Sequence, residues 1–233
     1  MNASRKVTLA CTPEPLQIDL DRTAVICIDM QNAFIREGAM FDLAGWPTQG
    51  GRAVIEPDRK IIEAARAAGV KVVFVKMSFN PGLTNAGGPD SPSYYKEIGM
   101  VLMRKNPEVM AREAIIHGTW GEEIIDELKP LPDEPVVRKQ RYSGFVGTDL
   151  DLVLKTLNIK YCAFIGGATN VCVGSTLMDA YSHDYFPILV KDAVFTQCPP
   201  VTVEATVWNV ENIFGWVTTT GELLSAIGGP SGQ

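Results

Sequence analysis

The stretch Thr23-Ala24-Val25-Ile26-Cys27-Ile28, closed by Asp29, decides the fold. It is apolar, rich in β-branched residues and free of polar alternation. A strand buried on both faces reads that way. Similar short runs follow at 70–75, at 135–138 ending on Lys139, at 161–165 before Gly166-Gly167, at 186–190 and at roughly 213–218. Amphipathic stretches separate them. Ile61, Ile62, Ala65 and Ala68 share a helical face with Gly69 as its stop, and Leu150, Val153, Leu154 and Leu157 form another. Val173, Leu177 and Ala180, then Val203, Val207 and Val210, repeat the pattern. Thr119 with Glu122 resembles a capping box opening a further helix. Strand alternating with helix implies parallel strands joined by right-handed crossovers. The expected fold is α/β: a doubly wound, mostly parallel sheet of about six strands, with helices on both faces in three layers.

The 233 residues suit one domain spanning 1–233. Two irregular stretches, 32–51 and 78–118, interrupt the alternation and read as lid or insert loops; the second carries Met100, Met103 and Met110. A net charge of −6 argues against a nucleic-acid partner, whose phosphates call for a basic surface. No apolar run is long enough for a membrane helix or a signal peptide. Five scattered cysteines without a CxxC argue against a disulfide framework or zinc knuckle and for a reducing cytoplasm. Only His117 and His183 are present, so a multi-histidine metal site is disfavoured.

Asp29 and Lys139 end strands, and Cys172 follows another after the turn Gly166-Gly167-Ala168-Thr169-Asn170-Val171. In a parallel sheet all three would face one crevice at the strand C-termini. Cys172 would sit in the first turn of a helix, where the macrodipole and free backbone N–H groups favour a reactive thiolate. It reads equally well as a small buried hydrophobe. Asp29 is either a general base or a loop-capping carboxylate. Lys139 is either a cation supporting both anions or, beside Arg138 and Arg141, part of a solvated basic face. His183 lies about 16 Å beyond Cys172 along a helix, too far for a Cys–His dyad. No GxSxG elbow, P-loop or GxGxxG is found.

The segments Val25 to Phe34, Lys139 to Phe145 and Gly166 to Val173 together resemble the isochorismatase-like cysteine hydrolases over about residues 20–225. Within them the chain is similar to the ureidoacrylate amidohydrolases, through Asp42 to Gly45, Ala86 to Pro89, Arg141 to Phe145, Thr169 to Val173 and Phe214 to Val217. The resemblance implies Cys172 as nucleophile, Asp29 as general acid/base and Lys139 as supporting cation. It also implies a cis peptide at Ala168–Thr169 that turns the amides of Thr169 and Cys172 toward an oxyanion. Metal-dependent relatives carry an Asp-x-His motif, and no His stands before residue 117 here. The implied enzyme is therefore a metal-independent amidohydrolase without a cofactor, acting through a thioester on a urea, N-carbamoyl or amide compound. The resemblance further implies a homodimer or homotetramer.

Gln31, Phe34, Met40, Trp46, Phe79, Asn85 and Tyr142 are the expected substrate-binding residues. Phe34, Met40 and Asn85 stand where the ureidoacrylate subgroup carries two tyrosines and an acid, so a less polar substrate is expected. Two rival readings are a non-catalytic small-molecule binding protein of the same fold and a thiol redox sensor, with Cys27 or Cys198 as resolving partner.

Overall fold

The computed structural model describes residues 5–107 and 114–228. Met110 and part of the second lid stretch therefore lie outside the described residues. An antiparallel pair, β1 (Lys6–Leu9) and β2 (Leu16–Asp19), opens the chain. Six further strands are β3 (Thr23–Ile28), β4 (Lys71–Met77), β5 (Val136–Lys139), β6 (Tyr161–Gly167), β7 (Phe186–Phe195) and β8 (Trp216–Thr218). They form one parallel sheet in the order β5-β4-β3-β6-β7-β8. The described helices are α1 (Asn32–Ile35), α2 (Met40–Leu43), α3 (Gln49–Ala53), α4 (Ile55–Ala67), α5 (Pro92–Lys96), α6 (Ile98–Lys105), α7 (Leu150–Thr156), α8 (Gly174–Ser182), α9 (Pro200–Asn209) and α10 (Thr220–Gly228).

The sheet has a core on each face because every strand alternates. Val25 and Cys27 of β3 pack with Ile61, Ile62 and Ala65 of α4 and Leu223 and Ile227 of α10. Ala24, Ile26 and Ile28 pack on the other side with Leu150 and Leu154 of α7 and Leu177 and Ala180 of α8. All six residues of β3 are buried, as its unbroken apolar run predicts. The expected three-layer architecture is therefore observed.

The two lid stretches are partly helical: α1, α2 and the start of α3 lie in the first, and α5 and α6 lie in the second. Two local expectations fail. The capping box at Thr119 does not open a helix. The carbonyls of Gly121, Glu122 and Glu123 instead accept from Ala33 N, Gln31 Nε2 and Asn32 N, and the Glu122 carboxylate is drawn to Lys76 Nζ at 2.9 Å. Ile213 and Phe214, expected at the start of the last strand, belong instead to a wide helical turn over Val210–Phe214 and leave only Trp216–Thr218 to pair with β7. The β1–β2 pair was not foreseen, being too short and too polar to carry a pattern.

Candidate active site

Strand order fixes where the site lies. From β3 the chain steps outward through β4 to β5, then returns to β6 on the other side of β3. Between β3 and β6 the winding reverses, and loops leaving the two strand ends diverge to open a crevice. Asp29 leaves β3 there, Cys172 follows β6, and Lys139 ends β5 two strands away.

Asp29 takes a left-handed backbone with φ 52°, which turns its side chain back over the sheet. Its N–H donates to Val75 O at 2.9 Å and its Oδ1 accepts from Met77 N at 2.9 Å. The other oxygen, Oδ2, meets Lys139 Nζ at 2.8 Å. That ammonium is fully buried and also donates to Cys172 Sγ at 3.2 Å. Burial alone would pull Lys139 down, but Asp29 and Cys172 outweigh it and raise the ammonium above its ordinary value.

At Cys172 two effects oppose each other. Burial, with Asp29 beside it, pushes its thiol well above the ordinary value, while Lys139 opposes the shift and favours the thiolate.

The turn that carries the nucleophile is unusual. Gly167–Ala168 is cis, one bond before the expected Ala168–Thr169. The Phe195 ring fills the space a Cβ on residue 167 would need, with the nearest atom 2.3 Å away, so the reversal falls at a glycine pressed against that ring. Residues Thr169–Val173 then form a wide turn, with Val173 N donating to Ala168 O at 3.1 Å, and α8 begins at Gly174. Such i→i+5 turns recur at functional sites. The 140–145 segment locks it: Gly144 N donates to Thr176 Oγ1 at 2.9 Å, and that hydroxyl donates to Cys172 O at 2.6 Å.

A cleft with a cavity volume of about 40 Å³ opens above the sulfur. Of the residues expected to bind substrate, Phe34 and Tyr142 line it. The others are occupied elsewhere. Gln31 spends its amide on Met77 and the Glu122 carbonyl. Met40 and Phe79 are core, Trp46 packs tilted on Phe41, and Asn85 holds Asn80 N at 2.8 Å. Ala168 lines the cleft, whereas Thr169 is fully buried. Sequence reasoning missed Phe41, Met77, Glu97, Ile98, Phe195 and Cys198 as walls. Met77 and Phe195 end strands, a position that could have singled them out. No comparable signal marked Glu97.

With this geometry in hand, comparison with known proteins is decisive. The isochorismatase domain model matches residues 23–222. The chain belongs to the isochorismatase family. It is 42% identical over 224 residues to a ureidoacrylate amidohydrolase of Rhizobium rhizogenes, covering 96% of this chain and 91% of that one. A cysteine hydrolase from Pseudomonas syringae superposes with a TM-score of 0.73 at 27% identity, covering 91% and 94% of the two chains. An N-carbamoylsarcosine amidase from Thermoplasma acidophilum gives 0.63 at 28% identity, covering 85% and 96%. The family's interior accordingly begins at β3 and leaves the β1–β2 pair outside the matched segment.

Proposed function

We propose that the crevice hydrolyses the C–N bond of a small urea, N-carbamoyl or amide compound through a thioester on Cys172. The chain is an amidohydrolase acting on carbon–nitrogen bonds other than peptide bonds. One observation carries the residue assignment: a buried ammonium bonded at once to a carboxylate and a sulfur, 2.8 Å and 3.2 Å away, beneath an open cleft.

The steps follow from those contacts. As a carbonyl carbon comes over the sulfur, Asp29 takes the thiol proton, and Lys139 stabilises the sulfur anion as it forms. Attack places negative charge on the carbonyl oxygen, where the backbone amides of Ala168 and Cys172, both residues of the cleft wall, receive it. Asp29 returns its proton to the departing nitrogen, and the C–N bond breaks to leave a thioester. Water then enters, Asp29 accepts its proton, and the sulfur leaves. Asp29 hands the proton taken from water back to the sulfur, which restores the starting state of the site.

The homologous substrate, ureidoacrylate, is a carbamoyl compound. Phe34, Phe41, Val171 and Phe195 make this cleft's walls apolar, which supports a less polar relative of it. The five cysteines are all free, in keeping with a reducing cytoplasm, and no described helix is long and apolar enough to cross a membrane. Exposed Tyr181, Trp208 and Ile213 on and after α8 and α9 support assembly as a homodimer or homotetramer; light scattering on the purified protein tests it. The activity is tested by incubating the protein with ureas, carbamoyl compounds and primary amides and measuring ammonia or amine. Turnover that survives chelator and dies on alkylation is the expected result; chelator-sensitive turnover would overturn the mechanism.

A further inference from the structure

Glu97 is a buried carboxylate in the cleft wall that the chemistry above does not use. It caps α6: Oε1 accepts from Gly99 N at 3.1 Å and Oε2 from Met100 N at 2.6 Å. Capping alone does not explain the residue. Ser, Thr, Asp and Asn serve helix starts best, and a glutamate here suffers desolvation that raises its carboxyl above the ordinary value.

The local structure is built to hold it in place. Tyr142 Oη accepts from Ile98 N at 3.1 Å and donates to Lys96 O at 2.8 Å, bracing both neighbours of Glu97. Glycine at position 99 leaves room for the carboxylate and its neighbour: a Cβ there would lie 2.5 Å from Ile115 Cδ1, which would have to shift, and 3.2 Å from Glu97 Oε2. The two amides use one lone pair on each carboxylate oxygen, and each keeps another.

The charges around the cleft give the anion a role. Asp29 is paired with Lys139, and burial beside Asp29 pushes the Cys172 thiol up. Among the described residues, no arginine, lysine or histidine lines the cleft, and Glu97 is its one carboxylate without a cationic partner within salt-bridge distance. A substrate carboxylate would meet another carboxyl group and no lining cation, whereas an N–H or ammonium would find an acceptor.

We infer that Glu97 sets specificity: it accepts an N–H from the end of the substrate remote from the scissile bond. The preferred substrates are then carbamoyl or amide compounds with an amine- or amide-bearing tail, not a carboxylate tail. This rests on the amidohydrolase reading and narrows it.

The experiment compares three matched ureas, tailed by a primary amine, a primary amide and a carboxylate. Wild-type kcat/KM is expected to favour the amine over the carboxylate by about tenfold or more. Glu97→Gln, which keeps an acceptor oxygen for the cap, should collapse that ratio by a similar factor, chiefly through KM of the amine compound. A wild-type preference for the carboxylate, or a variant that slows all three equally, would overturn the inference. If the variant does not fold, the wild-type ratio decides alone. No hydrolysis of any urea, carbamoyl or amide compound by the wild type would instead remove the amidohydrolase reading beneath it.

Discussion

Asp29 and Asp58 are two aspartates with nearly the same burial, 3% and 0% exposed, and opposite circumstances. Asp29 has both oxygens occupied, one by a backbone amide and one by an ammonium. Asp58, in the first turn of α4, has no hydrogen-bond partner on either oxygen. Burial, reinforced by Asp192, pushes its carboxyl well up. The first site keeps a charge inside the protein because a second charge compensates it. The second has no such partner, and burial favours its protonated form. What separates a reactive centre from a pH-sensitive weak point is therefore the partner, not the depth.

The strongest way to break the comparison acts on the reactive side. Cys172→Ser should reduce turnover by about 10⁴-fold or more while the melting temperature stays near wild type, because the oxygen fits the sulfur's place but attacks poorly. Steady-state kinetics beside a thermal melt checks this. Appreciable activity in the variant would mean that Cys172 is not the nucleophile.

Lys139→Met tests whether the partner is what makes Asp29 tolerable. Removing one member of a buried pair leaves the other uncompensated, at a cost of about 3–5 kcal/mol. Adding Asp29→Asn should recover much of that stability and none of the activity. Denaturant midpoints of the two single variants and the double variant measure the coupling directly. Additive losses would show that the pair is not coupled.

Asp58 supplies the converse. Its pKa is raised in the folded state, so its contribution to stability is complete below the unfolded carboxyl value and is lost as pH rises through the folded one. Wild-type stability should therefore fall relative to Asp58→Asn by about 1.4 kcal/mol per pH unit above the ordinary value of 3.8, until the folded pKa is passed. Urea midpoints of both proteins at pH 5, 6 and 7 give the slope. Parallel curves would mean that Asp58 finds a partner in solution.

The sequence carried one side of this comparison and not the other. Asp29, Lys139 and Cys172 were legible because each interrupts or follows an apolar strand, and parallel strands bring their C-termini to one edge. The helices of α4, α7, α8 and α9 were legible from their periodicity. Asp58 was not, because a carboxylate in the first turn of a helix ordinarily faces water, and only the packing of α4 shows otherwise. Glu97 was hidden likewise. The failed helix after Thr119 shows the limit in another form: hydrogen bonds from Gln31, Asn32 and Ala33, about 90 residues away in sequence, claimed the carbonyls a helix would have used. At Cys172 the helix-start placement could be read from a motif, whereas the desolvation that pushes the thiol up could not.

The smallest effect probes how firmly the reactive side is held. Thr176 Oγ1 joins Gly144 N to Cys172 O and so ties the segment after Lys139 to the turn that carries the sulfur. Thr176→Val keeps the shape and leaves that buried amide and carbonyl without the hydroxyl, for a loss of about 1–3 kcal/mol in stability. If the tie positions the nucleophile, kcat should fall several-fold with KM almost unchanged, since the cleft walls are untouched. Thr176→Ser, which restores the hydroxyl and loses only a methyl group, should recover kcat. A variant that loses stability while keeping kcat would mean that the cis turn at Gly167–Ala168 and the Lys139 contact hold the sulfur in place without this bond.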